Sequence, residues 1–240
     1  MDYKHRDSTF IKINKEQYLA IACDSCGAIG LKENDIVKLP CNIAGKYTTR
    51  VCLMEILSIG AKPIGLTVNI CNEFNPTGRE ILRGIKDELD EAGVNIPITI
   101  STEKNMKTSM TALGITIIGI VDRDDIIINK ISKGDYIYSI GIPSVGNEVL
   151  ENKGLISDIK VLNKILSHRF IKEVIPVGSS GIKGELNKLC EYLHIKLKME
   201  DDIKVDINKS AGPCTAIIVI CKDKLKNDLK VPINIIGKVI

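Results

Sequence analysis

Five acidic residues stand after a predicted strand, on a predicted helix or in a polar loop, and they are the first candidates for chemistry. They are Asp24, Asp35, Glu55, Glu73 and Glu103. Carboxylates that converge repel one another unless divalent cations lie between them, and Mg²⁺ with phosphate oxygens is the usual partner of such oxygen-rich sites. The alternative is that each acid lies singly on the solvated surface.

Cys23 and Cys26 have the spacing of a redox dithiol or of one half of a zinc site. The other cysteines include no second close pair and the three histidines lie far apart, so small residues at a strand end are the favoured interpretation. The chain also has neither a Gly-rich phosphate loop ending in Lys-Ser or Lys-Thr nor a dinucleotide fingerprint after its first strand. The sequence therefore contains neither of these two standard nucleotide-binding motifs.

Alternating strand-like and helix-like periodicities must position these acids. Apolar spacing predicts a helix over residues 44–59 that carries Glu55, and Gly60 stands where a left-handed C-terminal residue is expected. A second helix is predicted to begin near Asn75 and to end at Gly93. The predicted strands of this half are residues 15–24, 63–70, 96–100 and 111–121.

The second half of the chain alternates in the same way, with a Gly-bracketed turn at residues 178–181. Its predicted helices are residues 155–167 and 182–193, and its predicted strands are residues 136–140, 172–177, 213–221 and 233–240. The pattern predicts an α+β or mixed α/β fold. We place the domain boundary near residue 130, between domains 1–130 and 131–240.

Composition excludes several classes of protein. The 240 residues are 44% hydrophobic and 26% charged, which suits a folded globular chain. A net charge of +3 and 4% aromatic residues argue against a nucleic-acid binder. The longest apolar stretch, residues 112–121, is about half of the ~20 residues that span a bilayer. With charges throughout the first fifteen residues and no apolar signal segment, we expect a cytoplasmic protein with reduced thiols.

Three segments resemble the aminoimidazole ribonucleotide synthetase superfamily, whose members use ATP. They are the run from Cys23 to Gly27, the helix end Leu53 to Ile59 with the Gly60-Ala61-Lys62-Pro63 junction, and the loop from Ser101 to Asn105. The resemblance implies a two-domain fold with an N-terminal ATP- and Mg²⁺-binding domain and a reduced C-terminal α/β domain. It also implies a homodimer in which the N-terminal domains form a shared β-barrel.

Within this superfamily the chain looks most like the α-ribazole kinase branch. The segments that carry this likeness are Ala22 to Ser25, Cys71 to Gly78 and Ser101-Thr102-Glu103. The implied activity is transfer of the γ-phosphoryl group of ATP to α-ribazole, giving α-ribazole 5′-phosphate. Thiamine monophosphate kinase-like members carry paired aspartates at the first site, an Asp in place of Glu55 and a Gly-Gly-Asp loop. These departures argue against thiamine phosphate as the substrate.

The resemblance also implies roles for single residues. Asp24, Glu55 and Glu103 would coordinate Mg²⁺, which bridges the ATP phosphates. Those three acids would form the nucleotide site together with Ser101, Thr102, Asn105 and Lys107. Lys104 would supply catalytic positive charge and Glu73 would be the base, while Asn72 and Lys38 would contact the nucleoside substrate.

Two other functions fit the same resemblance. One is a ligase-like enzyme that activates an amide oxygen with ATP, and the other is a non-catalytic nucleotide sensor. In every case the expected partners are ATP, a small molecule and a second copy of the chain, with no nucleic acid and no membrane.

Overall fold

The computed structural model describes residues 3–226 and 228–240. The chain divides into two compact units, which meet in the sequence at Ile126 and Ile127. Each unit combines one main sheet with helices, so the mixed α/β fold predicted from the sequence is confirmed. No helix among the described residues is long and apolar enough to cross a bilayer.

The first unit is built on a six-stranded sheet with the strand order β1-β2-β3-β8-β6-β7. Strands β6 and β7 are parallel and their connection contains helix α2, whereas the other neighbours in this sheet are antiparallel. Strands β4 and β5 form a small parallel pair of their own. The elements are β1 (Tyr3–His5), β2 (Ser8–Lys12), β3 (Gln17–Gly27), β4 (Ile29–Gly30), β5 (Val37–Lys38), α1 (Cys41–Ser58), β6 (Lys62–Ile70), α2 (Arg79–Ala92), β7 (Ile98–Thr102) and β8 (Ala112–Asp122).

Helix α1 covers one face of the sheet, and strand β8 shows the two faces most clearly. Its alternate residues from Leu113 to Val121 are buried, whereas the residues between them, from Ala112 to Ile120, are half-buried. This alternation follows from the two-residue period of a strand. The second face, which we call the open face, carries exposed apolar side chains such as Ile11 and Ile64, which are 37% and 41% exposed.

Helix α2 packs closely on α1 because both helices have glycine at the crossing. A Cβ atom on Gly84 would lie 1.8 Å from the carbonyl oxygen of Asn42, and one on Gly45 would lie 2.2 Å from that of Ile81. Close by, buried Arg50 donates two hydrogen bonds to buried Glu88, at 2.7 and 3.0 Å. The close backbone approach and the buried Arg50–Glu88 pair therefore both hold α1 against α2.

Both helices end within one residue of the end predicted from the sequence. Helix α1 ends at Ser58 and Gly60 follows with φ 85°, while α2 is followed by Gly93 with φ 67°. Helix α2 itself begins at Arg79, later than predicted, because residues 74–78 form a separate wide turn with a cis Asn75–Pro76 bond.

Two strand boundaries near the predicted acids differ from the expectation. Strand β3 continues to Gly27, so Asp24 lies inside the strand and not at its end. It does so because β8 pairs with it along the whole length, from Asp122 opposite Gln17 to Ala112 opposite Gly27. Strand β7 likewise runs on through Ser101 and Thr102, which were predicted to be in a loop, because both pair with β6.

The second unit is a five-stranded antiparallel sheet with the order β10-β12-β9-β13-β11. Helix α5 buries Ile182, Leu186 and Leu189 in its core. Asp158 caps helix α4 by accepting a hydrogen bond from the Val161 N–H, which starts that helix later than predicted. The elements are β9 (Tyr136–Ile140), α3 (Glu148–Glu151), α4 (Ile159–Leu166), β10 (Ile171–Pro176), α5 (Gly181–Leu193), β11 (Leu197–Met199), β12 (Ile217–Cys221) and β13 (Ile233–Val239).

Replacing Gly84 with Ala tests the helix crossing. The added methyl group would meet backbone atoms that cannot rotate away, so we expect Gly84→Ala to lower the free energy of unfolding by about 1–3 kcal/mol. Urea denaturation measures this change. Gly27→Ala is the control because its Cβ would meet nothing within 4 Å. Equal stability of the two variants would contradict the proposed close crossing.

Candidate functional site

Lys32 lines three neighbouring cavities of the first unit, which we call together the Lys32 cleft. The first, of about 480 Å³, is lined by Lys32, Glu73, Pro76 and residues 103–107. The second, of about 360 Å³, lies against the start of α1, and most of its lining surface is apolar although Glu73 and Glu80 also border it. The third, of about 300 Å³, lies against residues 107–109. The loops that follow β4, β6 and β7 thus meet at one place.

An ion pair lies at the centre of this cleft. Lys32 Nζ donates to Glu73 Oε2 at 2.7 Å and to the Thr108 carbonyl oxygen at 3.1 Å, and only 17% of its side chain is exposed. Thr77 donates its hydroxyl hydrogen to the other oxygen of Glu73. Burial alone would raise the pKa of Glu73, but the hydrogen bonds from Lys32 and Thr77 hold that pKa below its usual value. Glu73 is therefore a charged, weakly basic carboxylate at neutral pH.

Asp35 fixes the turn that carries Lys32. Its buried carboxylate accepts hydrogen bonds from the Lys32 N–H at 2.8 Å and from the N–H and hydroxyl of Thr111, both at 2.7 Å. Burial alone would raise the pKa of Asp35, but these hydrogen bonds hold it below its usual value. Gly30 is needed beside them, because a Cβ there would lie 2.2 Å from Thr111 Oγ1.

Asn72 anchors the loop on the other side of the cleft. Its amide nitrogen donates to Thr108 Oγ1 at 2.7 Å and to the Met110 carbonyl at 2.8 Å, and its amide oxygen accepts from the Ala112 N–H at 2.9 Å. The side chain is fully buried. A substrate could contact this amide only by displacing those bonds, so the geometry gives Asn72 a supporting position behind the loop.

Glu103 also holds its own loop. Its Oε1 accepts from the N–H groups of Asn105 and Met106 at 2.7 and 3.0 Å, and these hydrogen bonds keep its pKa low. Lys104, Asn105 and Lys107 lie exposed on the rim of the 480 Å³ cavity.

The remaining predicted binding residues lie around this loop and the Lys32 turn. Lys38 Nζ donates to the carbonyl oxygens of Lys32 and Glu33 at 2.5 and 2.9 Å, so it braces the turn. Ser101 is exposed and Thr102 half-buried at the end of β7.

The three acids predicted to hold Mg²⁺ do not form a metal-binding group. Asp24 and Glu55 both raise the pKa of buried Cys52 by their negative charge, after the larger effect of burial, so they lie near the same thiol. The carboxyl of Asp24 itself has a raised pKa, from burial and then from the charge of Asp7. Within residues 3–226 and 228–240, no three His, Cys, Asp or Glu side chains are grouped so as to hold a metal ion. A preformed three-carboxylate Mg²⁺ site therefore does not fit this structure.

The alternative zinc or redox site at Cys23 and Cys26 does not fit either. The two residues are three apart on strand β3, so their side chains point to opposite faces of the sheet. Cys23 is exposed, whereas burial raises the pKa of Cys26 to about 11. All eight cysteines lie in the described ranges, and none of them forms a disulfide.

Sequence reasoning missed Lys32, Thr77 and Thr108, which build the centre of the cleft. One local signal was present: Asp35 follows Lys32 by three residues, a spacing at which an aspartate side chain can accept the earlier N–H and fix a turn. The contacts with Glu73 and Thr108 join residues 41 and 76 positions apart, and no local pattern indicates them.

Comparison with known proteins finds a family similarity in the first unit. Residues 5–121 match the family model of the AIR synthase related protein, N-terminal domain. This stretch of the chain is therefore similar in sequence to that domain family. The Lys32 cleft lies within the matched residues, since its lining residues run from Leu31 to Ser109. No curated protein sequence matches the chain.

Solved structures share the fold of the whole chain at low sequence identity. Thiamine monophosphate kinase from Aquifex aeolicus is 12% identical with a TM-score of 0.67, and the match covers 98% of this chain and 89% of that one. A chain of the HypE–HypF complex is 16% identical with a TM-score of 0.68, over 97% and 86%. PurL of Thermotoga maritima, complexed with ATP, is 14% identical with a TM-score of 0.62. That match covers 97% of this chain but only 37% of PurL. The similarity establishes that the chain shares the fold of these proteins.

Asp35→Asn tests the support of the Lys32 turn. Losing a charged acceptor for three buried donors should lower the free energy of unfolding by about 1–3 kcal/mol at pH 7. Because the folded-state pKa of Asp35 lies below its unfolded value of about 3.9, the carboxylate stabilises the fold above that pH and loses this effect as the pH falls.

The stability difference between the wild type and Asp35→Asn should therefore be full at pH 7 and narrow below about pH 4. Urea denaturation across this pH range measures it, with exposed Asp90→Asn as the control. A difference that stays constant down to pH 3 would contradict the assigned role of Asp35.

Proposed function

We propose that this protein is an ATP-dependent phosphotransferase that transfers the γ-phosphoryl group to a hydroxyl of a nucleoside, with α-ribazole as the acceptor. The observation that carries the proposal is the Lys32 cleft, which lies beside the segment Ser101 to Asn105 within the residues that resemble an AIR synthase related N-terminal domain. The resemblance of that loop and of Cys71 to Gly78 to the α-ribazole kinase branch supports the choice of acceptor.

The chemistry of phosphoryl transfer suits this cleft. The transition state is loose, so the protein must mainly hold donor and acceptor in line and balance the charge on the phosphates. Lys104 and Lys107 stand on the rim of the 480 Å³ cavity together with Asn105. We assign the phosphates of ATP to this side, with Ser101 and Thr102 at the adjoining end of β7.

The neighbouring 360 Å³ cavity suits the acceptor. It is lined mostly by apolar groups, including Leu31, Pro40 and Pro76, and ligand pockets of this kind hold ring systems. Lys32, Glu73 and Pro76 line both cavities, so a base bound here lies next to the phosphate side. The lowered pKa of Glu73 makes it inefficient at removing a proton, which agrees with a transfer that needs little help from a base.

We assign no step to a protein-bound Mg²⁺. The described ranges of the chain provide no group of three ligands for one, and the supporting observations are the cavities and their lysines.

We also propose that the chain forms a homodimer through the open face of the first sheet. Ile11 and Ile64 are exposed there and Ile118 is half-buried, so the face has the apolar character that a self-complementary contact buries.

The activity is tested by incubating the protein with ATP and MgCl₂, with and without α-ribazole, and analysing the products by mass spectrometry. We expect ADP and a phosphomonoester only when the acceptor is present. Lys107→Gln should lower kcat/KM by tenfold or more, whereas the matched control Lys133→Gln on the second unit should not change it. A cyclised or amidated product from a suitable substrate would favour the ligase-like function instead. ATP binding without any turnover would favour the sensor.

The dimer is tested by light scattering of the wild type and of Ile118→Lys. A charged side chain on the open face should dissociate the dimer, while Leu155→Lys on the second unit should not. A wild-type protein that is monomeric at all concentrations tested would overturn this part of the proposal.

A further inference from the structure

Lys32 differs from the lysines that the sequence singled out. Lys104 and Lys107 are exposed and Lys38 braces a turn, whereas Lys32 is mostly buried at the junction of all three cavities. Its ammonium group has three N–H donors. Two acceptors contact Nζ in the part of the chain that the structure describes, which leaves the third donor for a ligand.

The Lys32 side chain is fixed before any ligand arrives. Asp35 holds its backbone N–H, and Glu73 and Thr108 hold its Nζ. Binding an ordered cation costs less entropy than immobilising an exposed lysine, which loses its rotamer freedom on binding. Of the lysines that line the cleft, Lys32 therefore loses the least side-chain entropy when an anion binds.

The charges around the 480 Å³ cavity favour an anion. Three lysines line it against two carboxylates, Glu73 and Glu103. Both carboxylates are engaged by the protein: Glu73 binds Lys32 and Thr77, and Glu103 accepts two N–H groups of its own loop. Because both carboxylates stay ionised, the lining carries one more positive than negative charge.

We propose that Lys32 binds a phosphoryl oxygen of the nucleotide in the 480 Å³ cavity, with Lys104 and Lys107 closing on the outer phosphates. This inference rests on the proposed function for the identity of the anion as a nucleoside triphosphate. It adds the binding cation that the sequence did not indicate, at the point where the nucleotide and acceptor cavities meet.

The test compares the binding of ATP and of adenosine by isothermal titration calorimetry. We expect Lys32→Met to weaken ATP binding by tenfold or more and to leave adenosine binding unchanged, because adenosine has no phosphate to contact. Lys86→Met, on the exposed side of α2, is the matched control and should bind both ligands as the wild type does.

The outcomes separate this inference from the proposed function. If the wild type does not bind ATP, the proposed function fails. If the wild type binds ATP and Lys32→Met binds it equally well, the inference alone fails. Equal weakening of ATP and adenosine would also overturn the inference, since it would indicate general damage to the cleft.

A labelling experiment on the wild type does not depend on the variant folding. An amine-reactive reagent is applied with inorganic tripolyphosphate or with adenosine, and the modified lysines are read by peptide mass spectrometry. We expect tripolyphosphate to protect Lys32 and adenosine not to protect it, with Lys86 labelled equally throughout. Unprotected Lys32 in saturating tripolyphosphate would overturn the inference.

Discussion

The buried carboxylate of Asp35 is the interaction on which the candidate site depends. It accepts hydrogen bonds from both ends of the cleft, from the Lys32 N–H and from the N–H and hydroxyl of Thr111. A buried charge without such donors would be strongly unfavourable, so the two loops must meet wherever this carboxylate is ionised. The buried amide of Asn72 makes three further hydrogen bonds, which hold the loop before β8 in place.

These supports place one ion pair at the junction of the cavities. Lys32 and Glu73 lie 2.7 Å apart, partly shielded from water, in a setting that the surrounding loops fix. The pair keeps Glu73 ionised and Lys32 ordered, so the cleft presents a cation of defined position rather than a base. This arrangement suits a reaction whose main demand is the placement and neutralisation of phosphate charge.

The acids that the sequence pointed to have mostly supporting roles in the structure. Asp35 holds a turn, Glu103 holds its own loop and Glu73 pairs with Lys32, while Asp24 and Glu55 lie near the same buried thiol. The sequence selected these residues by their expected positions, although Asp24 lies inside β3 and not at its end. It could not distinguish a carboxylate that binds a ligand from one that binds the backbone, because both need the same residue type in the same kind of place.

The sequence by itself determined the mixed α/β class, the strand β9 and the glycine ends of α1 and α2, because periodicity and glycine conformation are local properties. Motif resemblance also indicated the AIR synthase-related superfamily, and the family-model match of residues 5–121 agrees with it. Only the tertiary structure decided that β3 continues past Asp24 and that Lys32 meets Glu73 and Thr108. Strand pairing and loop packing join residues far apart in the chain, and the energy of those contacts leaves no periodic trace in the sequence.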